Sequence, residues 1–163
     1  ALARLGQGRP LESEQVDLQS IARDAVADAH AVAPQRSISL DAPSSVLTTG
    51  DDTRLRQAVG NLMRNALVHT PAETPIEVAL ATHDGVATMS VVDHGPGLKP
   101  DDAGRVFEPF YRADPSRSRD SGGAGLGLSI VAAVVDAHGG SVKVTDTPGG
   151  GATFEVELPL AKA

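Results

Sequence analysis

The sequence predicts an α+β two-layer sandwich, in which helices cover one face of a mixed β-sheet. Two observations predict it: three segments carry apolar residues at helical spacing, and β-rich segments bounded by turn residues lie between and after them. The chain has 163 residues, about the size of one domain. Because aromatic residues make up only 2% of it, the core must be built mainly from Val, Leu, Ile and Ala.

The first third of the chain is expected to hold strands around one helix. Residues 1–10 are interpreted as the frayed end of a preceding helix and a linker, because Gly6, Gly8 and Pro10 interrupt them. Glu14–Asp17 is expected as a short strand, and Asp17 as the N-cap of a helix that runs from Leu18 to Pro34. Strands are then predicted over residues 37–40 and 46–49.

A second helix is predicted after residues 50–52, and prolines at positions 71 and 75 close it. Its apolar face contains Leu55, Val59, Leu62, Met63 and Ala66. Residues 76–82 and 86–92 are predicted to form a hairpin, because Asp84-Gly85 between them favours a tight turn. A third helix is predicted over Leu126–Ala137 and a last hairpin over residues 142–146 and 153–158. Residues 97–122 are too long and polar for an ordinary connection, which favours a functional loop.

Composition excludes several classes of protein. A net charge of −7 argues against general nucleic-acid binding. Without cysteine, the chain has no disulfide framework and no thiolate metal site. No apolar run approaches the roughly 20 residues of a membrane span, and no signal peptide is recognisable. Because the first residue is not Met, we expect a fragment of a longer protein.

Two polar features lie next to predicted apolar elements. Asn61 and Asn65 are four residues apart and share a helix face, where amide oxygens can bind a hard cation such as Mg²⁺ together with substrate phosphates. The alternative is two solvated helix residues. Asp93 ends a strand before Gly95-Pro-Gly97 and can accept a hydrogen bond from an exocyclic amine. The alternative is an Asx-turn.

The cluster Gly123-Ala-Gly125-Leu-Gly127 indicates phosphate binding without a standard nucleotide motif. Its spacing does not fit the dinucleotide fingerprint, and a Gly-Lys-Ser/Thr P-loop is missing. Phosphates would then meet backbone amides, the helix N-terminus near Leu126 and loop arginines; the alternative is a hinge with close helix packing. None of the five histidines has metal-site spacing, and His138 is interpreted as a cation at a helix end. The loop aromatics Phe107, Phe110 and Tyr111 are expected to dock on the domain body or on a partner.

Five motifs in this order resemble the catalytic ATP-binding domain of bacterial sensor histidine kinases. Residues 61–71 resemble the N box, 93–97 the first glycine box, 107–112 the F box, 123–128 the second glycine box and 149–154 a third. The resemblance covers residues 11–159 and extends to DNA gyrase B, the ninety-kilodalton heat-shock chaperone and the mismatch-repair ATPases. The F box favours the histidine kinase branch. The resemblance implies a Bergerat-type fold with a mobile ATP lid at about residues 97–122.

The resemblance also implies ATP and Mg²⁺ as ligands and a role for each matching residue. Asn65 would ligate Mg²⁺ with help from Asn61, and Asp93 would accept the adenine amino group. The arginines of the predicted lid would contact the γ-phosphate, and Arg117 and Arg119 would be catalytic residues together with the two asparagines. Phe107 to Tyr111 would contact the helical hairpin that carries the phosphorylated histidine. The remaining ATP-binding residues implied are His69, Gly95, Gly97, Arg112, Gly123, Gly125, Leu126, Gly127, Leu128 and Thr153. Val68 departs from the family, which often has a basic residue there, and this places more weight on the lid arginines.

The domain organisation follows from the same resemblance. Residues 1–10 would end a dimerisation hairpin, 11–160 form the kinase domain and 161–163 a tail. Such kinases phosphorylate a histidine ahead of an acidic residue on a helical hairpin, and none of the five histidines here has that helical context. The implied partners are that hairpin and a response regulator, and the whole protein would be a membrane homodimer with this domain in the cytoplasm. The alternatives are an ATPase of the same superfamily, which needs a glutamate near the N box, and a non-catalytic nucleotide-binding or interaction module.

Overall fold

The computed structural model describes residues 4–5, 9–98, 105–108 and 126–161. Within them, α1 (Leu18–Val32), α2 (Asp52–His69) and α3 (Leu126–Ala137) are the helices. The strands are β1 (Arg4–Leu5), β2 (Arg9–Pro10), β3 (Glu14–Asp17), β4 (Ile38–Asp41), β5 (Leu47–Gly50), β6 (Ile76–His83), β7 (Val86–Asp93), β8 (Ser141–Asp146) and β9 (Ala152–Pro159). None of the helices in the described ranges is long and apolar enough to span a bilayer.

The main sheet has five strands in the order β4-β6-β7-β9-β8. It is mixed, because β4 pairs with β6 in parallel while the other neighbours are antiparallel. The β6–β7 turn is tight: His83 pairs with Val86, and both Asp84 and Gly85 have positive φ. This is the geometry that Asp-Gly favours in a two-residue hairpin turn. Separately, β3 pairs antiparallel with β5 and β1 with β2.

The core lies between the three helices and one face of the main sheet. On β7, buried residues alternate with half-buried ones, so the inward set ends with the side chain of Asp93. The first two helices start at aspartate caps: Asp17 accepts from the amide of Gln19 at 2.9 Å, and Asp51 accepts from that of Arg54 at 3.1 Å. The apolar face predicted for α2 is buried as expected. The sheet therefore delivers a carboxylate to the edge where α2 ends.

The predicted two-layer α+β fold is confirmed, but the interpretation of residues 1–10 as a helix end and a linker does not extend to Arg4–Leu5, which are not helical. These two residues are extended and pair with Arg9–Pro10. The physical reason lies in the composition of this stretch, since two glycines and a proline disfavour helix.

Candidate functional site

The carboxylate of Asp93 is held in a fixed position at the end of β7. It is only 5% exposed. Its Oδ1 accepts hydrogen bonds from the backbone amides of Gly95, at 3.1 Å, and Ala152, at 3.0 Å. From the described residues, Oδ2 accepts no hydrogen bond. Both interpretations of Asp93 are therefore compatible: one oxygen organises an Asx-type turn, and the other remains available as a charged acceptor.

The third glycine segment packs directly against the backbone of this turn. Gly151 has a φ of +113°, and a Cβ there would overlap the carbonyl oxygen of Asp93 and approach the Cα of His94 to 2.8 Å. Val92 of β7 pairs with Thr153 of β9, and the hydroxyls of Thr153 and Thr147 lie 2.9 Å apart. The first and third glycine boxes thus form one rigid edge around Asp93.

Gly95 is required for a close approach rather than for a turn. A Cβ at Gly95 would come within 2.7 Å of the Cγ2 methyl of Thr70, the residue that ends α2. The Thr70 hydroxyl donates to the carbonyl of Ala66 at 2.7 Å. The end of the N-box helix therefore forms the wall behind the Asp93 turn.

Asn61 joins the N-box helix to the helix that follows the second glycine box. Its Nδ2 donates to the carbonyl oxygen of Gly127 at 3.2 Å. Asn61 and Asn65 are both half-buried on α2. No group of three His, Asp or Glu side chains in the described ranges could hold a metal ion. A cation here would depend on neutral amide oxygens and on ligand phosphates, a donor set that suits Mg²⁺.

The other predicted site residues fall into two groups. His69 is exposed at the end of α2, Thr153 is half-buried on β9, and Leu128 is half-buried on α3. Gly97 has a φ of +76° and faces the Gly151 carbonyl. Leu126 begins α3. Outside the described residues are Arg112, Arg117, Arg119, Gly123, Gly125, and most of the predicted lid, so their roles stay predictions.

One interpretation made from the sequence is corrected, and one of two alternatives is confirmed. His138 is not simply a cation at a helix end: Nδ1 lies 2.7 Å from the Val134 carbonyl, and Nε2 accepts the Asp51 amide at 3.0 Å. Nε2 can accept only when it carries no proton. For Phe107, docking on the domain body is confirmed, because its ring packs edge-on against Phe154 with centroids 6.1 Å apart. Phe110 and Tyr111 lie outside the described residues.

Sequence reasoning missed Arg36, which lies close to the site. It follows α1 and is only 7% exposed, and its guanidinium donates hydrogen bonds to Thr70 and Thr74, the two ends of the segment after α2. Its signal in the sequence is weak, because an arginine in a loop after a proline is ordinarily a solvated residue.

Comparison with known proteins places residues 50–162 in the family described as histidine kinase-, DNA gyrase B- and HSP90-like ATPase. The probable sensor histidine kinase TcrY of Mycobacterium tuberculosis is 47% identical over 160 residues, which are 98% of this chain and 34% of that protein. The sensor histidine kinase CpxA of Escherichia coli is 37% identical over 164 residues, which are 99% of this chain and 35% of that protein. The chain thus spans about a third of the length of these relatives.

Solved structures agree with this placement. The mycobacterial sensor histidine kinase MprB superposes with a TM-score of 0.81 at 29% identity, over 93% of this chain and 99% of that one. Full-length ShkA in complex with AMPPNP gives a TM-score of 0.75 at 32% identity, over 95% of this chain and 32% of that one.

Proposed function

This chain belongs to the histidine kinase-, DNA gyrase B- and HSP90-like ATPase family, and on that premise we propose that it binds Mg·ATP and transfers the γ-phosphate to a histidine on a separate helical hairpin. A response regulator then receives the phosphoryl group. Because the sensor kinases it resembles are about three times longer, the hairpin and the membrane-anchored dimer belong to the rest of the protein in this proposal.

The arrangement of Asp93 carries the proposal. Two backbone amides hold Oδ1 of this buried carboxylate, so the side chain needs no reorganisation to offer Oδ2 to a donor. The exocyclic amine of adenine is such a donor, whereas guanine places a carbonyl oxygen at the equivalent ring position and would be repelled. A hydrogen bond to a charged acceptor contributes about 1.5–3 kcal/mol. Asp93 thus supports selection of adenine nucleotides.

The two asparagines of α2 are assigned to the metal and phosphates of the substrate. Asn65 would ligate Mg²⁺ through its amide oxygen, while Asn61, whose amide nitrogen donates to Gly127, would keep α2 and the start of α3 in register. The backbone amides at the start of α3 would bind the phosphates in this proposal. Arg112, Arg117 and Arg119 remain the proposed contacts for the γ-phosphate.

The proposed reaction is an in-line phosphoryl transfer. A histidine imidazole nitrogen attacks the γ-phosphorus, the bond from phosphorus to the β,γ-bridging oxygen breaks, and ADP leaves with that electron pair. Positioning and charge neutralisation supply most of the catalysis in such reactions. A base for the imidazole proton would lie on the hairpin.

An ATPase of the gyrase or chaperone type is the second candidate. It needs a carboxylate beside the N box to activate water, and Asn61 cannot act as a general base. The asparagine therefore favours transfer to histidine over hydrolysis. A non-catalytic binding module is favoured only by Val68, which is 37% exposed and cannot pair with a phosphate.

The experiment combines this chain with the helical hairpin encoded upstream in its gene and γ-labelled ATP. We expect acid-labile phosphate on the hairpin, and its loss with Asn65→Ala. Asn65→Asp, which retains an oxygen ligand, serves as the matched control and should keep part of the activity. Labelling that persists in Asn65→Ala would contradict the metal assignment. Phosphate released to water without labelling would favour the ATPase.

A further inference from the structure

We propose that Arg36 is a positioning residue for base recognition, which sets the orientation of Asp93 through Thr70 and Gly95. This inference deepens the proposed function and rests on it. Arg36 lies in the loop between α1 and β4, far from the glycine boxes in sequence, and belongs to none of the motifs.

Arg36 joins the segment that follows the N-box helix to the body of the domain. Its Nε donates to the carbonyl of Thr74 at 2.8 Å, and Nη2 donates to the hydroxyls of Thr70 and, at 3.2 Å, Thr74. Because the planar guanidinium makes these hydrogen bonds simultaneously, it fixes both ends of the turn formed by residues 70–74. The Thr74 hydroxyl in turn donates to the carbonyl of Pro71 at 2.6 Å.

The turn transmits this constraint to Asp93 by direct contact. The methyl group of Thr70 packs so closely on Gly95 that a Cβ would not fit between them. The amide of Gly95 is one of the two donors that orient Oδ1 of Asp93. A shift of Thr70 therefore moves the amide that holds the base-recognising carboxylate.

Arg36 also acts on Asp93 through its charge. Burial lowers the pKa of the Arg36 guanidinium, and the carboxylates of Asp93 and Glu73 raise it. An arginine nonetheless stays protonated. The buried guanidinium therefore places a positive charge close to the carboxylate that accepts the adenine amine.

The test measures the ratio of ATP to GTP affinity in the 163-residue chain, with Mg²⁺ present, for wild type and variants. Arg36→Gln should lower this ratio by about tenfold, because a displaced Asp93 loses its charge-assisted hydrogen bond to the adenine amine. Affinity for inorganic tripolyphosphate should remain within about twofold, since its contacts are not touched. Thr70→Val, which keeps the shape and removes the hydroxyl, should lower the ratio in the same direction.

A matched control separates positioning from a general loss of stability. Arg56 on α2 likewise bridges two segments through its guanidinium, to Asp24 at 2.6 Å and Asp52 at 2.8 Å, but it lies near the opposite end of the helix. Arg56→Gln should leave the ratio unchanged. Hydrogen exchange without nucleotide gives an independent readout: Arg36→Gln should raise the exchange rate of the Gly95 amide, and Arg56→Gln should not.

The outcomes distinguish this inference from the function on which it rests. A wild-type chain without preference for ATP overturns both. If Asp93→Asn removes the preference while Arg36→Gln and Thr70→Val retain it, only the role of Arg36 is overturned. Equal losses of affinity for ATP and for tripolyphosphate in Arg36→Gln would mean that Arg36 only stabilises the fold, and would also overturn its role in base recognition.

Discussion

Replacing Asp93 by asparagine and by alanine separates its structural role from the base recognition proposed for it. The asparagine variant keeps an oxygen that can accept the amides of Gly95 and Ala152, now as neutral hydrogen bonds. The alanine variant leaves both donors without an acceptor, and Ala152 is only 5% exposed. Each unsatisfied buried donor costs about 1–3 kcal/mol. The Gly95 amide is only partly buried, so its lost hydrogen bond adds about 0.5–1.5 kcal/mol. Asp93→Ala should therefore lower the free energy of unfolding by roughly 1.5–4.5 kcal/mol, and Asp93→Asn by about 1 kcal/mol.

Nucleotide affinity, in contrast to stability, should already fall strongly in Asp93→Asn. In Asp93→Asn an amide NH₂ replaces the outer oxygen and meets the adenine amine donor to donor. Losing a charged hydrogen bond of about 1.5–3 kcal/mol weakens ADP binding by roughly 10- to 150-fold. Denaturant unfolding and calorimetric titration measure the two quantities on the same samples, with tripolyphosphate as the control ligand. Equal stability of the two variants would contradict the holding role of Oδ1, and wild-type ADP affinity in Asp93→Asn would contradict the role of Oδ2.

Three further predictions concern packing and protonation. Gly151→Ala should cost about 2–5 kcal/mol in denaturant unfolding, against about 1–2 for Gly149→Ala, whose Cβ meets open space; similar costs would contradict the backbone contact. His138→Ala should cost about 1–3 kcal/mol because it removes the ring nitrogen to which the Asp51 amide donates, whereas the exposed His30→Ala should be nearly neutral in thermal unfolding. Burial raises the pKa of Asp17, but hydrogen bonds from a hydroxyl and backbone amides lower it more, so its stabilising effect is present at neutral pH and lost as pH falls below about 4. Asp17→Asn should flatten the fall of Tm there; an unchanged slope would be inconsistent with this cause.

Local elements were predictable because their signals are local. The apolar spacing of α2, the Asp17 cap and the Asp84-Gly85 turn depend on residues within a few positions of one another. The Asx-type turn at Asp93 was also predictable, because this residue stands where an apolar strand meets glycine and proline.

The parts of the site that escaped prediction depend on contacts between distant segments. Arg36 reaches Thr70 only once α1 and α2 pack side by side, so nothing around Arg36 marks it. His138 becomes an acceptor because α3 ends beside the start of α2. For Gly95, the need to avoid a side chain comes from Thr70 and not from its own backbone angle.

The hydrogen bond between Asn61 and Gly127 limits how this domain could diverge. A carboxylate at position 61, as a hydrolytic enzyme requires, would have no proton to donate and would face the Gly127 carbonyl oxygen directly. A single substitution toward hydrolysis would then loosen the start of α3. An evolutionary path between the two chemistries would need a compensating change in α3, so the two helices should vary together among descendants of this sequence.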